Sequence, residues 1–259
     1  MSTDLLGAIL ERKAREIERR RRHRSPASAE PVDRRSAVLA ALRRTSGLPR
    51  VIAEVKFASP SAGPIRAWRP GEGTRIAEGY VRGGASAISV LCDRAGFGGS
   101  VLELRRVARA VEVPVLFKEF VLDPLQVDLA RVAGASMVLL LVRALEPRTL
   151  ASLIDHCFAR GLEPVVEAAD EAEVERALDT PARVVGVNAR DLSTFRMDPS
   201  AAARAIQKIP EDRVAVYMSG VSNRDELTRV ADGRADAVLI GSGLMRAADP
   251  GRRLAELLS

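Results

Sequence analysis

Aromatic residues supply only 3% of this 259-residue chain, and cysteine appears twice. So sparse an aromatic set offers no stacking platform for single-stranded nucleic acid. It also leaves the core to Val, Leu, Ile and Ala, the residues of closely packed strand and helix layers. Cys92 and Cys157 lie far apart and form no metal-ligand spacing, which reads as two reduced thiols of a cytoplasmic protein. No dinucleotide fingerprint is present, so neither a metal nor a cofactor is expected. The best apolar run, MVLLLV at 137–142, is far too short to span a bilayer, and no export signal opens the chain. No membrane partner is expected.

Lysine is the other scarcity. Of 40 basic residues only Lys13, Lys56, Lys118 and Lys208 are lysines. An ammonium can lower its pKa and give up a proton, which a guanidinium cannot, so a lysine kept in an arginine-rich chain is a candidate acid. Lys56 and Lys118 follow apolar runs where chemistry would be done. Lys13 and Lys208 fall in polar helical stretches and are expected to have no special role.

The net charge of +6 is not spread along the chain. Residues 1–50 carry a net +7 and the remainder a net −1. The source is the run ERKAREIERRRRHR at 11–24, a pattern that can serve RNA or an acidic membrane. Without an aromatic platform or nucleic-acid motif beside it, it is read as a solvated helix face near an anionic ligand site, and no nucleic-acid partner is expected.

Short apolar, β-branched runs alternate with longer amphipathic segments, the pattern of parallel strands joined by crossover helices. Eight runs are present: VIAEV at 51–55, AISVL at 87–91, VLF at 115–117, MVLLL at 137–141, EPVVE at 163–167, VVGVN at 184–188, VAVYM at 214–218 and AVLI at 237–240. Eight βα units close a (β/α)8 TIM barrel, which fits this length as a single domain over 1–259. Asp123-Pro124, Glu146-Pro147, Asp198-Pro199 and Asp249-Pro250 each place a capping acid before a first-turn proline. Ahead of the barrel, 4–22 and a short stretch near 38–42 read as helices. Residues 1–48 thus form a helical extension expected to cover the catalytic face.

Barrel active sites sit at the C-terminal strand ends. That set is polar here: Glu54 and Lys56 at the first, Lys118 at the third, Glu167 at the fifth, Asn188 and Arg190 at the sixth, Ser219 at the seventh. Glu54 and Lys56, two apart, face the same side of a strand. Two lysines and two glutamates at one mouth point to proton transfer, because such clusters push pKa values apart. Ser219-Gly220 and Gly241-Ser242-Gly243 follow the last two strands, the standard phosphate site of this architecture, so a phosphorylated small molecule is the expected ligand. Neither histidine has a triad-like context.

These residues resemble the indole-3-glycerol-phosphate synthase family over essentially the whole length. The likeness runs through VIAEVKFASPSAGPIR at 51–66, SVLCDRAGFGGS at 89–100, FKEFVLDPLQV at 117–127, PVVEAADEAEVERAL at 164–178, VGVNARDLSTF at 185–195 and LIGSGLMRAADP at 239–250. It implies cofactor-free conversion of 1-(2-carboxyphenylamino)-1-deoxyribulose 5-phosphate to indole-3-glycerol phosphate in tryptophan biosynthesis, with loss of carbon dioxide and water. By the same resemblance Lys118 protonates the ketone, Glu167 acts as base or stabilises developing positive charge, and Lys56 with Glu54 serves the carboxylate and the dehydration. Which lysine serves which step stays open. Asn188 and Ser219 position hydroxyls, Arg190 holds an anionic group, Gly220, Gly241 and Ser242 receive the phosphate, Ser59 contacts substrate and Phe97 packs on its ring. A monomer is implied, with a dimer left open.

Three positions depart from the family pattern. Met218 stands where a Glu is usual, which removes a carboxylate from the mouth and with it some support for a charged lysine. Met218→Glu is therefore expected to raise turnover. Glu119 replaces Asp, and strand alternation points it away from the mouth; Gly96 replaces an aromatic. The competing readings are a specialised or low-activity copy in a secondary pathway, a sugar-phosphate isomerase, and a barrel that binds a phosphorylated ligand without turnover.

Overall fold

Eight parallel strands close on themselves in chain order: β1 (Arg50–Val55), β2 (Ala87–Leu91), β3 (Val115–Lys118), β4 (Met137–Leu141), β5 (Glu163–Ala168), β6 (Val184–Asn188), β7 (Val214–Met218) and β8 (Ala237–Ile240). The first and last strands complete the ring, with Arg50 opposite Ala237 and Ala53 opposite Ile240. This is a computed structural model, and it describes residues 5–22, 33–60, 62–191 and 196–259. The barrel is the (β/α)8 fold that the eight runs imply.

Alternation along each strand builds two apolar layers. In β1, Val51, Ala53 and Val55 join the cluster between barrel and helices, while Ile52 joins the one filling the barrel. Glu54, one step of two beyond Ile52, must then face inward. The outer ring is α3 (Glu72–Arg82), α5 (Val101–Ala110), α6 (Pro124–Ala133), α7 (Pro147–Ala159), α8 (Glu171–Leu178), α9 (Pro199–Gln207), α10 (Arg224–Ala231) and α12 (Pro250–Leu258). Two short helices, α4 (Arg94–Phe97) and α11 (Ser242–Met245), follow β2 and β8.

The helix starts obey the Asp-Pro signal. Asp123, Asp198 and Asp249 each accept a backbone N–H with the side chain, from Leu125, Ala201 and Arg252. Each cap is worth about 1 kcal/mol. Glu146 departs from the expectation: it precedes Pro147 without a side-chain cap, its longer chain being poorly suited to the tight geometry that Asp satisfies.

The extension divides between the two ends of the barrel. Helix α1 (Leu5–Arg22) reaches the loops after β2 and β3, with Arg12 on Asp93, Lys13 on Glu119 and Arg21 on Asp123. Helix α2 (Arg35–Leu42) lies at the opposite end: just beyond it, Arg43 and Arg44 donate to the carbonyls of Arg213 and Ala231, ahead of β7 and β8. Its Val38 and Leu42 are fully buried in the barrel-filling cluster. Burying Leu42 alone stabilises by about 1.5–3 kcal/mol, enough to hold α2 as a plug under the barrel. The expectation that residues 1–48 cover the catalytic face is thus corrected for α2. The stretch through Ser25, Pro26 and Pro31 lies outside the described residues.

Candidate active site

The C-terminal strand ends enclose a cavity of about 300 Å³. Every candidate catalytic, substrate-binding or phosphate-binding residue borders it: Glu54, Lys56, Ser59, Phe97, Lys118, Glu167, Asn188, Arg190, Ser219, Gly220, Gly241 and Ser242. The barrel brings them together from positions up to 188 residues apart in the chain. The hairpin Ala58–Ser59/Gly63–Pro64, outside the barrel sheet, holds Ser59 at the rim.

The charged groups form a chain. Lys56 Nζ lies 2.7 Å from Glu54 Oε1, while Lys118 Nζ is 3.7 Å from Glu54 Oε2 and 3.8 Å from Glu167 Oε2. Lys56 is therefore committed to one carboxylate, whereas Lys118 stands between two at distances too long for hydrogen bonds. Burial works against ionised Glu54, but Lys56 and Lys118 outweigh it and hold its carboxyl below the usual range. Glu167 is fixed on one side: Asn188 Nδ2 donates to its Oε1 at 2.8 Å, and Asn188 Oδ1 accepts from the N–H of Arg190 at 3.0 Å. Among the described residues Glu167 Oε2 is buried with no hydrogen-bond partner, an acceptor in waiting.

The opposite rim is built for close backbone approach. A Cβ on Gly241 would stand 2.5 Å from Glu54 Oε1 and 3.1 Å from Lys56 Nζ, so glycine lets the end of β8 lie against the ion pair without displacing either side chain. Ser219 has φ +70°, the single non-glycine in the left-handed region among the described residues, and Gly220 follows with φ +85°. Strained backbone of this kind gathers at ligand sites.

Some lining residues escaped the sequence reading. Phe120 joins Phe97, ring centroids 6.2 Å apart, and Leu139 and Leu141 complete an apolar wall. The signal for 139 and 141 was available, since both share the inward parity of β4; Phe120 lies beyond the end of β3 and had none. Glu119 corrects an expectation, because it borders the cavity and is buried. The strand ends at Lys118, so alternation no longer governs the next side chain. Burial lifts its carboxyl to about 7 against the pull of Lys13. Lys13 is a second correction, only 2% exposed. Lys208 is a surface residue as expected, half-exposed beside Glu171.

Met218 is fully buried in the barrel-filling cluster, its methyl over Gly186, where an added Cβ would stand 2.3 Å away. Apolar volume occupies the place of the absent carboxylate, and the two lysines balance Glu54 and Glu167 without it.

A family model described as indole-3-glycerol phosphate synthase matches residues 6–257. The chain belongs to the indole-3-glycerol phosphate synthase family. It is 43% identical over 222 residues to the indole-3-glycerol phosphate synthase of Mycobacterium avium, covering 86% of this chain and 80% of that protein. It is 46% identical over 210 residues to that of Kineococcus radiotolerans, covering 81% and 76%. Among solved structures, the 3-hexulose-6-phosphate synthase of Salmonella typhimurium superposes with a TM-score of 0.64 at 18% identity, over 81% of this chain and 98% of that one. The thiamine phosphate pyrophosphorylase of Pyrococcus furiosus gives 0.58 at 16%, over 81% and 93%. At such identities these two share the barrel alone. Among the described residues of this synthase-family chain, no helix is long and apolar enough to cross a membrane.

Proposed function

We propose that this barrel closes the indole ring: 1-(2-carboxyphenylamino)-1-deoxyribulose 5-phosphate enters, and indole-3-glycerol phosphate, carbon dioxide and water leave. The observation that carries the proposal is the charged quartet of Glu54, Lys56, Lys118 and Glu167, set in one cavity between an apolar wall and a glycine rim. The substrate has the same three parts, a reacting ketone and carboxylate between an aromatic ring and a phosphate.

Ring closure requires a proton on the ketone oxygen as the aromatic carbon attacks it. Lys118, held loosely between two carboxylates, is the donor this geometry favours; Lys56 is already bound to Glu54. Loss of carbon dioxide then restores the aromatic electrons. The new hydroxyl leaves as water, taking a proton from the Lys56–Glu54 pair, while Oε2 of Glu167 takes a proton from the neighbouring ring methylene, so that the carbon–carbon double bond of indole forms and the nitrogen keeps its proton. General acid and base groups of this kind contribute about 10²–10⁴-fold each. The apolar wall of Phe97 and Phe120 takes the ring. The backbone at Gly220, Gly241 and Ser242 takes the phosphate, and Asn188, Arg190, Ser59 and Ser219 hold the polar groups between.

The reaction is tested by incubating the protein with this substrate while following indole fluorescence and carbon dioxide. Both should appear together. Tight binding with neither product over hours would favour a barrel that binds without turnover, and Met218 is the residue that would then need explaining. Operation in the cytoplasm as one single-domain monomer belongs to the same proposal; two free, buried cysteines support the first part. Sedimentation should give the chain mass of 27.9 kDa.

A further inference from the structure

The N-terminal helix sends one side chain, Lys13, against the loops that follow β2 and β3. Lys13 Nζ has three donors, and three carboxylates meet it: Glu16 at 2.9 Å, Glu119 at 3.0 Å and Asp93 at 3.1 Å. Two of these belong to the loops that shape the cavity. Glu119 directly follows Lys118, and its other oxygen accepts the N–H of Phe120 at 2.8 Å. Asp93 caps α4, accepting the N–H of Gly96 at 2.8 Å, and α4 ends at Phe97.

We propose that Lys13 is a positioning residue for ring closure, clamping on one ammonium the loop that follows Lys118 and the loop that carries Phe97; this rests on the synthase reading above. Each carboxylate is anchored to its own backbone, so the ammonium ties two backbones together. Phe97 and Phe120, one from each loop, then keep the spacing that makes the apolar wall. Arg12 backs Asp93 at 3.0 Å and Arg20 backs Glu16 at 2.7 Å, so the outer ends of the cluster keep a cation even without Lys13. Glu119 does not. Its remaining bond among the described residues is to the neutral N–H of Phe120.

Removing the ammonium leaves Glu119 and Asp93 as two buried carboxylates around one empty point, which is unfavourable for both. Asp93 stays with Arg12. Glu119 is the one released, and the cavity it borders is open to it. There, beside the Lys118 ammonium, it ionises and competes with Glu54 and Glu167 for that lysine, and the proton donor is drawn off line.

The test is steady-state kinetics per folded molecule, on the carboxyphenylamino substrate, for wild type, Lys13→Met and Lys13→Met/Glu119→Gln. Lys13→Met should lower kcat at least tenfold and raise KM severalfold. The double variant should recover most of the loss in kcat, because a neutral amide does not compete for Lys118. Values of kcat and KM within twofold of wild type in folded Lys13→Met would overturn the proposal, as would a double variant no better than the single one. If Lys13→Met does not fold, Glu119→Ala carries the test, since it leaves Lys13 two carboxylates. Its KM should rise severalfold as the apolar wall loosens, and an unchanged KM overturns the clamp. Wild-type protein that makes no product removes the synthase reading and the clamp together, whereas an active wild type with an unaffected Lys13→Met removes the clamp alone.

Discussion

Asn188 donates to Oε1 of Glu167 across 2.8 Å and leaves Oε2 buried without a hydrogen-bond partner among the described residues. The amide thus decides which oxygen faces the substrate. In Asn188→Ala the carboxylate is free to turn onto Lys118, now 3.8 Å away. Turnover should fall about 10–100-fold, with Glu167→Gln falling further, by about 10²–10⁴. Steady-state kinetics on both variants checks the order, and Asn188→Ala as active as wild type would contradict the role given to the amide.

Glu54 ties the site to acid stability. Its folded-state pKa lies below the ordinary 4.5 because two lysines outweigh burial. A depressed carboxyl contributes stability above its unfolded-state pKa and loses it as pH falls through the folded value. Wild type should therefore exceed Glu54→Gln in stability by the most at neutral pH, and the gap should close below pH about 4.5. Urea titrations of both proteins at pH 7 and pH 3.5 measure it. A gap that stays constant is the contrary outcome.

Gly241 has no room for a methyl group beside the Glu54–Lys56 pair. Gly241→Ala must push the carboxylate aside or lift the end of β8 from the rim. Either way kcat/KM should fall about tenfold or more, as small misplacements at a reacting centre do. Calorimetry should show weaker substrate binding beside that loss. Full activity in this variant would remove the argument for close backbone approach.

Met218→Glu exchanges a fully buried thioether for a carboxylate. The melting temperature should drop by several degrees, because charge is costly in that layer. Turnover per folded molecule should rise, since a third carboxylate strengthens the charged form of the lysines. Differential scanning calorimetry and the fluorescence assay separate the two effects. Unchanged or lower turnover in a folded variant would contradict the second.

The barrel was legible because its signals are local. Each β-branched run is short enough to be a strand, and Asp123, Asp198 and Asp249 announce the helices that follow. The quartet was legible because period-two geometry carries Glu54 into the mouth and strand order carries Lys118 and Glu167 beside it. Lys13 was not, because nothing in an amphipathic helix says which polar face meets buried acids from loops some 80 and 106 residues away. Glu119 was misread for a different reason: alternation ceases where the strand does. The parting of α1 and α2 to opposite ends of the barrel is likewise a tertiary choice, made by which apolar surface each helix finds.

The central claim is that two lysines and two glutamates at one barrel mouth carry out ring closure. Its most direct test is product formation from 1-(2-carboxyphenylamino)-1-deoxyribulose 5-phosphate by wild type, Lys56→Ala and Lys118→Ala. Wild type should release indole-3-glycerol phosphate and carbon dioxide in equal amounts, with both variants slower by about 100-fold or more. Near-normal rates in both folded variants would contradict the account.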